Sequence, residues 1–239
     1  MLMFKKLRAR EVALAACFAA LYVVLSFVPM FHLLGAFQSI TVAAIMVPLI
    51  GLMLGAYIGA LSALLGGIIS LSLNPSLFSP MSLAAGVVGA VCAGLLYTNR
   101  RALCALTYMI LLLIFGLYPS VGPIWIFPQV MWFHVVGLFI LISPLQSTAS
   151  SNFKSAKATR LLFAFFVTCL VSTLAGQIAG NIIFETIPIT DPRGTWLALT
   201  FVYPFERTII AIIAAFIGVP LFEALKATNL INATQRLRK

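Results

Sequence analysis

Acidic side chains are nearly missing from this chain. Of 239 residues only five are acidic, Glu11, Glu185, Asp191, Glu206 and Glu223, and only two, His32 and His134, are histidine. General acid–base catalysis needs such groups at the reacting atoms, so the means for it are thin. The His-Glu-x-x-His zinc pair, the Gly-x-Ser-x-Gly elbow and the Walker phosphate loop are all absent, and with them the motifs of those hydrolase and ATPase classes. No catalytic residue is assigned, and the chain reads as no enzyme. The four cysteines, Cys17, Cys92, Cys104 and Cys169, fall singly inside apolar runs. They have neither the paired spacing of a metal site nor a secreted disulfide framework, so they read as packing residues, and no metal or cofactor is expected. A soluble domain, a long linker and a low-complexity tract are missing too. The lack of an internal repeat argues against an inverted-repeat secondary transporter.

What the chain has in quantity is hydrocarbon. Hydrophobic residues make up 62% against 8% charged, and the mean hydropathy is +1.13. One soluble core cannot hide that much apolar surface, whereas a bilayer accepts it if every backbone N–H and C=O is paired within helices. A membrane barrel would alternate apolar and polar residues, but the runs here are continuous and rich in Leu, Ile and Ala. The expected fold is therefore all-α, a polytopic transmembrane helical bundle forming one integral membrane domain over 1–239. About eight apolar segments separate, near 11–28, 40–54, 57–73, 81–97, 102–117, 127–142, 161–184 and 204–225. The second to sixth are shorter than the ~20 residues of a full span.

The net charge of +10 suggests nucleic acid at first sight, but the basic residues sit in short clusters between apolar runs. They read as orientation signals, and no nucleic acid partner is expected. With the amino terminus inside, the cytoplasmic stretches hold Lys5, Lys6, Arg8, Arg10, Arg100, Arg101, Lys154, Lys157, Arg160, Lys226, Arg236, Arg238 and Lys239, thirteen of the fifteen basic residues. Only Arg193 and Arg207 fall outside. An even number of spans, six or eight, follows, with both termini cytoplasmic in a cell membrane. The basic, apolar start also resembles a signal peptide, but no persuasive cleavage site follows it, and it is read as the first helix. Residues 29–39 read as a loop and 146–157 as a short cytoplasmic loop.

Several constellations stand out from the apolar background. In the first helix Ala15 with Ala19, and Ala16 with Ala20, are spaced for close helix approach, either within the bundle or as a docking face for a partner subunit. Gly51, Gly55 and Gly59 follow Pro48, with Gly55 where the chain must reverse. In the seventh segment Thr173, Gln177, Asn181 and Glu185 recur every four residues. Such a stripe must face the bundle interior or a wet cavity, as an interhelical seam or as a substrate-lining wall, and Gly176 and Gly180 beside it can admit a neighbouring helix. The eighth segment opens with Tyr203, Pro204, Phe205, Glu206 and Arg207, with Pro204 expected at the helix start. Adjacent helical residues point about 100° apart, so Glu185 is the expected partner of Arg207. Residues 118–128 are too apolar for a solvated loop and too rich in Pro for a helix, and so form a lid or an interfacial segment. Trp125, Trp132 and Trp196 fit an outer aromatic belt, and they can also stack on a planar ligand. His134 is an isolated polar residue and a secondary ligand candidate.

The alanines of the first helix (Ala15, Ala16, Ala19, Ala20), the short helices around Pro48, Gly51, Gly55 and Gly59, and the closing run 207–225 resemble the substrate-binding S component of energy-coupling factor (ECF) transporters. The resemblance covers roughly 10–97 and 161–226 and rests on pattern. It implies a subunit that captures a vitamin or similar micronutrient from the outer side, for uptake driven by a transmembrane coupling protein and two cytoplasmic ATPases. The alanine face of the first helix would dock on the coupling protein. Asn181, Glu185, Tyr203, Glu206 and Arg207 would hold the ligand, with Gln177, Trp125 and His134 as further candidates. The family fold has six helices, so 102–145 would be an inserted hairpin. The competing readings are a stand-alone small-solute permease and a membrane scaffold or assembly protein without ligand.

Overall fold

A computed structural model describes residues 9–32, 39–188, 190–228 and 230. The basic residues Lys5, Lys6, Arg8, Arg236, Arg238 and Lys239 lie outside them. Among the described residues ten helices and a two-stranded hairpin follow one another: α1 (Ala9–Leu25), β1 (Pro29–His32), β2 (Ser39–Thr41), α2 (Ala43–Leu54), α3 (Ala56–Leu73), α4 (Pro80–Tyr97), α5 (Arg101–Leu117), α6 (Pro123–Ile126), α7 (Trp132–Ile142), α8 (Pro144–Asn152), α9 (Ala158–Glu185) and α10 (Pro192–Ala227). A 3₁₀ turn, Pro128–Met131, joins α6 to α7. Among the described residues four helices, α3, α4, α9 and α10, are long and apolar enough to cross a membrane, and Pro128–Ile142 with α8, bent by 62°, supplies a fifth if taken together. The protein is thus a multi-pass helical membrane protein.

Helix starts follow local chemistry. Ser79, Ser143 and Asp191 each accept a hydrogen bond from a backbone N–H of the first turn of α4, α8 and α10, and each is followed by proline at the first helical position. That pairing satisfies an orphan donor and uses the residue whose missing N–H costs nothing there. The turn between α2 and α3 is Gly55, whose φ of 83° is a left-handed conformation suited to glycine.

Cross-helix contacts give the direction of each element. Ser62 Oγ donates to the Ala15 carbonyl at 2.8 Å, so α3 runs parallel to α1 with Gly66 against Ala19. Arg101 Nε bonds the Leu141 carbonyl and the Tyr108 hydroxyl bonds the His134 carbonyl, so α5 and α7 are antiparallel. Gly176 and Gly180 of α9 lie against Ala85 and Met81 of α4, and a Cβ on Gly176 would come 2.5 Å from the Ala85 carbonyl oxygen. Here the two glycines admit a neighbouring helix, as their spacing predicts.

Helix α9 is the axis of the bundle. In its apolar window 83% of residues are buried, against 33% to 44% in the three other long spans. Helix α2, only 12 residues long, is also almost wholly buried. Lipid-facing surface is supplied by α3 with Tyr57, Leu61 and Leu65, by α5 with Leu106 and Leu113, and by α10 with Phe201, Phe205 and Phe216, all exposed. On α10 the opposite face, with Tyr203, Glu206 and Arg207, is the buried one. Polar residues turn inward and apolar ones outward, the order a hydrocarbon surrounding demands.

Four expectations need correction. Pro204 does not start the last helix: α10 begins at Pro192 behind the Asp191 cap, and Pro204 lies inside it, roughly three turns on. Residues 146–157 are not simply a loop, because Pro144–Asn152 is a helix with Gln146 and Ala149 buried. Gln146 Nε2 reaches the Thr168 hydroxyl of α9 at 3.3 Å, which holds that helix in the bundle. Part of 29–39 forms a strand pair, Pro29 opposite Thr41 and Phe31 opposite Ile40. Residues 118–128 include one short helix, α6.

Candidate functional site

The polar stripe of α9 is buried along its whole length. Thr173, Gln177, Asn181 and Glu185 are each 4% to 5% exposed. Facing them from α10 are Tyr203 at 5%, Glu206 at 3% and Arg207 at 9%, while α7 adds His134 with no exposure. These side chains meet because α9 and α10 run antiparallel, with the Tyr203 hydroxyl donating to Asn181 Oδ1 at 3.0 Å. His134 and Tyr203 stand edge to face with ring centroids 6.3 Å apart. Gln177 lies beside both rings, and Arg207 acts electrostatically on both.

The expected Glu185–Arg207 pair does not form. Arg207 instead pairs with its neighbour Glu206, Nη2 to Oε2 at 3.9 Å. Two long side chains can bend toward each other even when their Cα–Cβ bonds diverge, and burial leaves no water to draw them apart. The contact is at the outer limit of an ion pair and is not the bidentate fork of a strong arginine–carboxylate bond.

Much of this polar capacity is unused within the protein. Among the described residues, Asn181 Nδ2, all four oxygens of Glu185 and Glu206, and Arg207 Nε have no hydrogen-bond partner, while the His134 ring and the Gln177 amide approach each other, and Val130 and Tyr203, without a hydrogen bond of good geometry. A buried polar group left so costs about 1–3 kcal/mol, and most native proteins hold few. Here they are concentrated in one place.

No family model, curated protein or solved structure matches the chain. The site therefore has to be read from its own geometry. Beside the cluster a cavity of about 70 Å³ opens between α1, β2, α2, α4, α9 and α10, and it is lined in part by Tyr22, Thr41, Val47, Phe78, Thr173 and Arg207. Among the described residues, Arg207 is the only charged one on its wall. Of the expected site residues only Arg207 lines it, together with Thr173 at the inner end of the stripe; Gln177, Asn181, Glu185, Tyr203, Glu206 and His134 lie outside its lining. The contribution of Tyr22, Thr41 and Phe78 was not legible: each comes from a different element, and none belongs to a polar pattern.

Other candidates fall elsewhere. Trp125 is 60% exposed, so it stands apart from the buried cluster. Trp132 is half exposed and donates to the Thr200 carbonyl at 3.3 Å, as befits an interfacial ring. Trp196 is not in an outer belt: it is fully buried, stacked edge to face on Phe115 and Phe184, with Nε1 on the Val121 carbonyl at 3.4 Å. On α1 the two alanine pairs separate. Ala15 is half-buried and Ala19 buried against α3, whereas Ala16 and Ala20 are exposed.

Proposed function

We propose that this protein is the membrane-embedded substrate-binding subunit of an ECF-type transporter, an S component that captures a small vitamin-like solute from the outer side. The observation that carries the reading is the buried concentration of unpartnered polar atoms on α7, α9 and α10 next to the Arg207 cavity. Polar groups stranded in a helical membrane protein mark solute pathways when they converge on a cavity, and an orienting set of few polar groups on an apolar wall is the usual make-up of a solute site.

In this reading eight helical passes place both termini in the cytoplasm, and the hairpin 102–145 is added to a six-helix core. The cavity then lies toward the outer side, because the α1–α2, α3–α4 and α9–α10 connections gather there. At the other end Tyr97, Phe153, Phe165 and Phe222 pack edge to face. That filled end favours a binding subunit over a stand-alone permease. Energy comes from partners, a transmembrane coupling protein and two cytoplasmic ATPases, and the exposed Ala16 and Ala20 on α1 suit close docking of a partner helix.

The scaffold reading draws on one observation, the Tyr203–Asn181 bond that joins α9 to α10. Mass spectrometry of small molecules released from gently purified protein separates the two. A stoichiometric vitamin-like compound is expected. Repeated absence of any bound or binding solute, in protein purified from several media, assigns the cluster to helix fastening.

A further inference from the structure

The cavity wall carries one kind of electrical information. Of its lining residues among those described only Arg207 is charged; the others are apolar or carry hydroxyls, such as Val47, Phe78, Thr41 and Thr173. Glu206, Glu185 and His134 do not line it. A cation entering here meets a charge of its own sign, and a neutral solute leaves the guanidinium with only the single 3.9 Å contact to Glu206.

Arg207 is also incompletely engaged. Its Nε has no partner, and its ion pair with Glu206 is a single contact of 3.9 Å. A guanidinium has five N–H donors in a planar fork that fits a carboxylate through two parallel bonds. Glu206 uses one corner of that fork. The cavity side remains.

Size narrows the choice further. A site of about 70 Å³ holds about five water molecules when each needs about 10–15 Å³ of such space. That is room for a carboxylate and a few carbons.

We infer that the ligand is an anionic solute, a compact carboxylate or a molecule that presents one, seated with its charged group on Arg207 and its apolar part against Tyr22, Val47 and Phe78. This rests on the solute-binding reading above and gives the solute its charge class. Glu206, whose carboxylate lies 3.9 Å from one Nη of Arg207, competes with the ligand for the guanidinium. Removing the Glu206 charge therefore strengthens binding, and removing the Arg207 charge abolishes it.

The test uses the full chain purified in detergent and a matched series of probes, acetate with acetamide through to benzoate with benzamide, with binding read by thermal shift and by equilibrium dialysis. At least one carboxylate is expected to bind ten-fold or more tightly than its amide. Arg207→Gln should weaken that carboxylate by ten-fold or more while the amide is unaffected, and Glu206→Gln should tighten it several-fold. If Arg207→Gln does not fold, Glu206→Gln and the carboxylate-to-amide ratio of the unmodified protein decide alone. The inference is overturned if no carboxylate binds, if amides bind as well as carboxylates, or if Glu206→Gln weakens the anion. Competition by phosphatidylglycerol micelles with no effect of any soluble carboxylate assigns Arg207 to a lipid headgroup and also overturns it. A neutral or cationic compound released from the purified protein sinks the charge assignment but leaves the binding-subunit reading intact, whereas absence of any solute removes both.

Discussion

Gln177 shows how a single residue separates binding from fastening. It is 4% exposed, and among the described residues its amide meets the His134 ring and the Tyr203 hydroxyl without a hydrogen bond of good geometry. A residue kept for stability alone would be poorly chosen, because an apolar side chain of similar size avoids the desolvation of both amide groups. Gln177→Leu is therefore expected to raise the unfolding free energy in detergent by about 1–3 kcal/mol while lowering affinity for the released solute. Thermal unfolding and dialysis on the same preparation check both effects. A loss of stability would instead make Gln177 a member of an interhelical seam. The residue scale is also where the sequence is most legible: four-residue spacing puts Thr173, Gln177, Asn181 and Glu185 on one face, and all four are buried. It failed on partners, because the pairing of Arg207 with Glu206 rather than Glu185 depends on how two flexible side chains bend in a dry site.

Among elements, α1 carries two kinds of small-residue surface. Ala15 and Ala19 face α3, where the Ser62 hydroxyl and Gly66 meet the α1 backbone, while Ala16 and Ala20 face away from the bundle. Ala19→Leu overfills a contact in which even a Cβ on Gly66 would lie 3.0 Å from the Ala19 carbonyl oxygen. It should cost about 1–3 kcal/mol of stability, seen as a lower midpoint in thermal unfolding. The double variant Ala16→Leu, Ala20→Leu should unfold at the original temperature, and under the proposed function it should lose co-purification with a coupling protein and ATPases. Retained co-purification moves the docking surface to another helix. Element boundaries were legible where apolar runs end sharply, as at Leu54, Leu73 and Tyr97. The start of α10 was missed because Tyr203-Pro204 resembles a helix entry. The better signal was Asp191-Pro192 with Gly194: the Asp191 carboxylate accepts from the Gly194 N–H at 2.9 Å, which makes the cap that begins the helix. Helix α8 was missed since its sequence is polar, and its place depends on Gln146 meeting Thr168 across the fold.

For the molecule as a whole, composition decided the solvent but not the number of crossings. Helices α2 and α5, of 12 and 17 residues, are shorter than a full span, about 18 and 26 Å at 1.5 Å per residue. Helix α2 is almost wholly wrapped by protein, so its length is set by its neighbours rather than by lipid thickness. Helix α5 is different: Leu103, Leu106, Ile110, Leu113 and Leu117 are exposed along its length, which suits a lipid-facing crossing. If α5 and α7 both cross, Ser120 at their junction shares a side with Thr190 and is opposite Ser155. In a background with Cys17, Cys92, Cys104 and Cys169 replaced, single cysteines at these three positions should show it. Ser120→Cys and Thr190→Cys are expected to react with an impermeant maleimide applied to intact cells, and Ser155→Cys only after lysis. Reaction of Ser120→Cys only after lysis would make 102–145 a re-entrant hairpin and reduce the crossings to six, with the buried polar cluster unchanged. Reaction of Thr190→Cys only after lysis would turn the cavity toward the cytoplasm and remove the uptake reading, since a capture site must open to the side from which the solute comes.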